Sequence, residues 1–315
     1  MRTKNFILAT LTAGLLAACS NDNEVMNTDK GTVPASFSGS ITGQGATTRA
    51  ADTSWEAGDQ IGISGKSGDV TYTNVSYNTT GDGNFAVTNN EQAIYFQDEQ
   101  TVTFTAYYPW NSATTIAADT RAQESQRDFD FLWAQASGSK ASRNVAFGFD
   151  HKMAKVEFTI HCGTDVSFDE VKNATLSLGG YVAEGTFDAA NGVAAATGEA
   201  VAQPQTFAGS GTDVHNAPSE VNGEPNTVAY TLILFPQEFA SALTFTANLG
   251  TAQTLTASLD FTEGNRNAQD EEPKNAWVAG RQYNMDITLN KTSINVGTCT
   301  ITAWEDLDAG HVVAQ

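Results

Sequence analysis

The sequence predicts an all-β protein, built as two antiparallel β-sandwich domains in tandem, and three observations lead there. Apolar residues recur at every second position in Val102, Phe104, Ala106 and Tyr108; in Val145, Phe147 and Phe149; and in Ala154, Val156, Phe158 and Ile160. The same alternation runs through Tyr230, Leu232, Leu234; Leu243, Phe245, Ala247, Leu249; Leu255, Ala257, Leu259, Phe261; and Tyr283, Met285, Ile287, Leu289. Period two with one polar face is the mark of half-buried strands. Turn residues punctuate the series, as at Thr80-Gly81-Asp82-Gly83-Asn84 and Gly179-Gly180, where the chain must reverse. Long helical periodicity is nearly absent, so no crossover helices are available to a parallel sheet, and many short strands in succession pack as sandwiches. A chain of 315 residues has room for one or two such domains.

Residues 1–18 read as a secretory signal peptide: Arg2 and Lys4 form a basic head, Phe6 to Ala18 is apolar apart from threonine and glycine, and small residues close the run. The run is shorter than the roughly 20 apolar residues of a membrane span. Leu16-Ala17-Ala18-Cys19 resembles the bacterial lipobox, in which the cysteine thiol takes a diacylglycerol and becomes the new N-terminus. Each buried methylene of such a lipid contributes about 0.8 kcal/mol, so acylation of Cys19 anchors an otherwise soluble chain to the outer membrane. Residues 19–31 then form a lipidated polar tether, and Ser20-Asn21-Asp22-Asn23-Glu24 resembles the acidic signal that sends lipoproteins to the cell surface. Loss of Arg2 and Lys4 leaves 14 basic residues against 36 acidic, a net charge of −22. That balance excludes nucleic acid as a partner, because phosphate binding depends on lysine and arginine releasing counterions.

Val33, Ala35, Phe37, Gly39 and Ile41 alternate as a first strand over about 33–42. The glycine-rich segment Gly43 to Thr48 follows, ending at Arg49-Ala50; between Lys30 and Arg121 the only basic residues are Arg49 and Lys66. Phe149-Asp150-His151-Lys152 separates two strong strand patterns and divides the core into an N-terminal domain, 32–150, and a C-terminal domain, 151–315. Cys162 and Cys299 have two readings: a disulfide if their strands are neighbours, or two small buried hydrophobes. Trp55-Glu-Ala-Gly-Asp-Gln-Ile61 and Trp277-Val-Ala-Gly-Arg-Gln-Tyr283 echo each other, as a duplicated domain or as one turn solution reached twice.

Catalysis finds no foothold. His151, His161, His215 and His311 show no metal-binding spacing, and there is no nucleophile elbow, phosphate loop or dinucleotide fingerprint. Asp98-Glu99 and Asp270-Glu271-Glu272 read as solvated loop charge rather than a glycosidase pair. No cofactor or metal is expected, and the five tryptophans read as core and corner packing rather than a sugar-binding platform.

The lipobox at Cys19, Trp55 to Ile63, Phe104-Thr-Ala-Tyr-Tyr-Pro109, Asp130-Phe-Leu-Trp133, Phe147 to Val156, Trp277 to Tyr283 and Ile301-Thr-Ala-Trp304 together resemble the fimbrillin-like lipoproteins of Gram-negative anaerobes, in order along the chain. The resemblance implies two transthyretin-like sandwiches and polymerisation into thin adhesive pili at the cell surface. It also implies cleavage by an arginine-specific protease, here between Arg49 and Ala50, that removes the edge strand bearing Val33, Ala35, Phe37 and Ile41. Other fimbrial subunits are then the partners, one donating a replacement strand by β-augmentation; the host or microbial surface ligand is not specified. Donor candidates within this chain are Ile294 to Ala303 and the tail at Val312-Val313. The apolar phase of the first changes between Val296 and Cys299, which favours a tip or accessory subunit over a repeating stalk. The alternative is a surface-tethered glycan-binding lipoprotein that does not polymerise.

Overall fold

The computed structural model describes residues 31–42, 54–201, 205–206, 220–221, 224–259, 261 and 275–304. Among them the fold is all-β, with one α-helix, α1 (Phe168–Lys172), closed by a capping box between Ser167 and Glu170.

The first half holds β1 (Ser36–Ile41), β2 (Ala57–Ser67), β3 (Val70–Thr80), β4 (Asn84–Val87), β5 (Val102–Tyr108), β6 (Thr115–Asp119), β7 (Leu132–Gly138) and β8 (Asn144–His151). All but β6 join in the order β8-β1-β4-β3-β2-β5-β7, and β7 returns to β8, closing the sheet into a barrel. Every pair is antiparallel except β1 with β8, which run parallel. The alternation expected of β8 holds over its whole length, with every second residue buried from Val145 to His151. Inside lie Phe37, Ile61, Tyr77, Phe85, Phe104, Phe147 and Phe149, with Trp55, in one core. β2 and β3 interrupt period two, because their pairing slips between Ala57 and Gln60 and again between Ile63 and Gly65. At the second slip Asn74 takes a positive φ of 52° and its N–H donates to Ser64 Oγ, as the extra residue of a bulge requires.

The second half holds β9 (Ala154–Cys162), β10 (Thr175–Gly179), β11 (Glu184–Asp188), β12 (Val193–Ala196), β13 (Thr227–Leu234), β14 (Leu243–Asn248), β15 (Leu255–Leu259), β16 (Arg281–Leu289) and β17 (Ile294–Ala303). One sheet runs β13-β9-β16-β17; a second runs from the two-residue strand Gln205–Thr206 through β10 and β14 to β15. Alternate residues of both sheets, among them Val156, Phe158, Tyr230, Leu232, Met285, Leu176 and Phe245, meet in one core with Trp277. That is the layered packing of a sandwich.

Between the halves lies a third core. β6, from the first half, pairs with β11, from the second, and β12 completes that sheet. Phe187 of β11 stacks on Phe131 at 4.6 Å between ring centroids and meets Tyr107 at 6.1 Å. Gln123 mimics a strand: its Nε2 donates to Ile233 O at 2.9 Å and its Oε1 accepts from Ile233 N at 3.0 Å, while Gln126 Nε2 donates to Thr231 O. The free edge of β13 is thereby covered by two side chains of the 3-10 turn Gln123–Asp128, which blunts an edge open to strand pairing. Arg127 of the same turn pairs with Glu56 and Asp59 of the barrel side. The described residues from Thr32 onward accordingly cluster as one compact unit.

Candidate functional site

The expected first strand is β1 with a short forerunner, in which Val33 pairs with Phe96 and Pro34 with Tyr95. Serines and apolar residues alternate in Ser36-Phe-Ser-Gly-Ser-Ile41, so Phe37 and Ile41, each 4% exposed, point into the barrel. Val33 and Ala35 are half-buried, and Ala35 packs against the same core. The structure thus gathers Val33, Ala35, Phe37 and Ile41 along one run of chain.

The strand is not an edge, and the expectation of a peripheral strand is corrected here. β8 flanks it in register from Ser36 with Asn144 to Ile41 with Phe149, and β4 flanks its other side at Phe37 and Ser38. Beyond those ladders, Ala35 N donates to Ile94 O, Ser36 N to Arg143 O, Gly39 N to Gly83 O and Thr42 N to Phe149 O, at 2.7–3.0 Å. A closed sheet leaves its first strand no free side, so taking β1 away opens the barrel and bares two backbone edges, those of β8 and β4.

Aromatic side chains fix β1 from within. The Phe37 ring meets Tyr77 edge-on at 5.0 Å and Phe104 edge-on at 5.3 Å, and stacks on Phe147 at 5.8 Å. Such contacts add about 0.5–1.5 kcal/mol per pair beyond area burial. Trp55, which follows the segment 43–53, donates its indole N–H to Gly39 O at 2.8 Å and packs edge-on against Phe85 and Phe149. A residue on the far side of Arg49 in sequence therefore clamps the strand that precedes it. Sequence reading places Gly39 in the apolar phase of Phe37 and Ile41 without giving it a role, and it misses Trp55 as a member of this site.

Cys19, Arg49 and Ala50 lie outside the described residues, as does the tail at Val312-Val313. The other donor candidate, Ile294 to Ala303, is β17, an edge strand already paired with β16 along its length. Its change of phase is a bulge: Gly297 and Thr298 together oppose Asp286, between the pairs Ile287 with Val296 and Met285 with Cys299.

Cys162 and Cys299 are free thiols. β16 lies between their strands, and two strand spacings put them roughly 9.5 Å apart before any offset along the strands, beyond the ~7 Å that a disulfide tolerates. The disulfide alternative is thereby corrected to two separate cysteines. Burial pushes the Cys299 thiol up to about 12 and raises Cys162 as well, so neither forms thiolate readily. Alkylation of the native protein at pH 8 is expected to leave Cys299 unmodified, and in denaturant both are expected to label; mass spectrometry of unreduced protein reads the result.

No surface platform of tryptophan exists: Trp55, Trp277 and Trp304 are buried and Trp110 and Trp133 half-buried, with Trp133 Nε1 bonded to Ala189 O. His151 Nδ1 is hydrogen-bonded to Asp130 Oδ1 at 2.8 Å, and its ring stacks on Trp304 at 3.9 Å, which makes it part of the packing where the halves meet. Among the described residues no three His, Cys, Asp or Glu side chains gather as a metal cage.

Comparisons with known proteins agree with the fold. The fimbrillin-like family model matches residues 48–304, a span that begins beside Arg49 and leaves β1 out. The proposed fimbrium subunit Fim1C of Bacteroides uniformis is 28% identical over 313 residues, covering 95% of this chain and 94% of its own. A crystal structure of a proposed cell adhesion protein from Bacteroides ovatus superposes with a TM-score of 0.68 at 23% identity, over 88% of this chain and 99% of that one. Another, from Bacteroides uniformis, gives 0.64 at 25% identity over 86% and 99%.

Proposed function

Because the chain belongs to the fimbrillin-like family, we propose that it is a fimbrial subunit, exported as a lipoprotein precursor anchored through Cys19, activated by cleavage between Arg49 and Ala50, and assembled by strand exchange. The observation that carries this reading is the setting of β1. Its backbone is bonded on both sides and its side chains fill the barrel, yet its covalent link to the barrel runs through 43–53, which contains Arg49.

The physics of the cut follows from that link. A short tether holds a strand beside its groove at an effective concentration on the order of millimolar. Cleavage removes that advantage, and β1 then competes on equal terms with any strand a neighbour presents. The vacated groove has apolar walls and two rows of unpaired backbone groups, the combination that drives β-augmentation. Proteolysis at the surface and polymerisation become successive steps, with an arginine-specific protease and other fimbrial subunits as partners.

The occupied state of β17 supports a tip or accessory position. Cys299 is buried in the core of its own sandwich and Trp304, immediately after the strand, is buried against His151 where the halves meet, so β17 is tied into the fold at both places rather than held ready for donation. The glycan-binding alternative lacks an exposed tryptophan to serve it. Arg49→Ala in the native host tests the proposal: the variant is expected to stay in the outer-membrane fraction with its lipid and to be absent from sheared fimbriae. Incorporation equal to wild type would remove cleavage from the account.

A further inference from the structure

Phe37, Gly39 and Ile41 share the inward face of β1, and the three make unequal demands on the barrel. Phe37 occupies a hole walled by Tyr77, Phe104 and Phe147. Ile41 is buried to the same degree at the other end. Between them the wall rises: a Cβ added at Gly39 would stand 2.7 Å from Phe149 Cε2 and 3.3 Å from Phe85 Cε2, where real Cβ atoms do not come closer than about 3 Å. Neither ring can swing aside, because Trp55 packs edge-on against both, at 5.1 Å and 5.2 Å, and Phe149 is itself fully buried. Gly39 does not adopt a positive φ, so glycine stands here for want of space and not for backbone freedom.

We infer that the groove left by β1 selects its incoming strand by shape, taking a segment that reads bulky apolar, any residue, glycine, any residue, bulky apolar, and that neither C-terminal donor candidate of a second copy of this chain supplies it. The inference rests on the strand-exchange reading above and adds the identity of the partner's strand. Phe85, Phe149 and Trp55 form a saddle that remains in the barrel when β1 leaves, so whatever replaces Gly39 meets the same three rings. Side chains at the Ser38 and Ser40 positions point away from the core and are free to vary. β17 fails the pattern: the residues two before and two after Gly297 are Asn295 and Cys299, and the amide of Asn295 would be buried without a partner in the Phe37 hole. The segment around Val312 fails as well, since Gly310 has Asp308 in the corresponding place.

The test uses the full chain nicked after Arg49 with an arginine-specific protease, unfolded in urea and refolded in the presence of excess synthetic peptide, with the bound strand identified by native mass spectrometry. A peptide of residues 33–42 and its Ser40→Val variant are expected to replace β1 equally well. Gly39→Val and Phe37→Ala peptides are expected to compete at least about tenfold less well, and a peptide of residues 294–303 not to compete. Equal replacement by the native and Gly39→Val peptides, or uptake of 294–303, would overturn the selection rule and leave strand exchange standing. Failure of the native peptide itself to enter would overturn strand exchange and the rule with it.

Discussion

Phe37→Ala in the intact chain lowers stability by about 3–5 kcal/mol, the cost of truncating a buried phenylalanine. The side chain is 4% exposed and touches three rings on β3, β5 and β8, so its removal leaves a cavity bounded by strands that cannot all move inward together. Urea unfolding reads the change as a lower midpoint at unchanged slope. Ser40→Ala, at an exposed position of the same strand, serves as the control and stays within about 0.5 kcal/mol of wild type. In chain cut after Arg49, Phe37→Ala is expected to shed β1 on dilution where the wild-type strand is retained, because the apolar anchor is the larger part of what holds it. A loss of less than about 1 kcal/mol in the intact chain would mean that β1 contributes little to the barrel, and that opening the groove would not create a demand for a new strand.

Phe187→Ala is expected to cost about 3–5 kcal/mol as well, with a different signature. Phe187 is fully buried between Phe131 and Tyr107, at the point where β6 of the first half pairs with β11 of the second. The barrel core and the sandwich core contain no part of it. Its truncation weakens the core between the halves, so the single cooperative transition of the wild type is expected to separate into two, followed by fluorescence and circular dichroism as non-coincident curves. Coincident curves at reduced midpoint would show that the β6–β11 pairing and the Gln123 and Gln126 bonds to β13 hold the halves together without that ring. A subunit that bears load along a fibre needs such a junction, since a hinge there would give before the strand contacts.

The strands that could be read from sequence are those whose outer face stays polar. β5, β8, β9 and β16 announce themselves because one side meets a core and the other meets water or a polar neighbour. β2 and β3 were hidden by two bulges, each of which shifts the apolar phase by one residue, and by Gly62 and Gly65, which leave room for the Tyr107 and Phe104 rings. β6 escaped because Thr115-Ile-Ala-Ala-Asp119 is short and small-sided, and it becomes a strand by pairing with a segment more than sixty residues away. In the candidate site, the apolar rhythm of Val33, Ala35, Phe37 and Ile41 was legible, whereas its neighbours were not: whether a first strand is edge or interior depends on β8 and β4 both pairing with it. The meaning of Gly39 likewise lies in Phe85 and Phe149, which approach it only in three dimensions. Cysteine pairing was open for the same reason, since β16 intervenes between β9 and β17 although it lies between them in sequence by an unremarkable margin.

Under the proposed function, proteolysis cuts the covalent link between β1 and the barrel and so lets a strand from a neighbouring subunit take its place. The N-terminal peptide of the protein recovered from the cell surface, identified by mass spectrometry with and without an inhibitor of arginine-specific proteases, tests it most directly. A mature chain beginning at Ala50, replaced by acylated Cys19 when the inhibitor is present, is the predicted result. Acylated Cys19 on the assembled, surface-recovered protein under both conditions would contradict it.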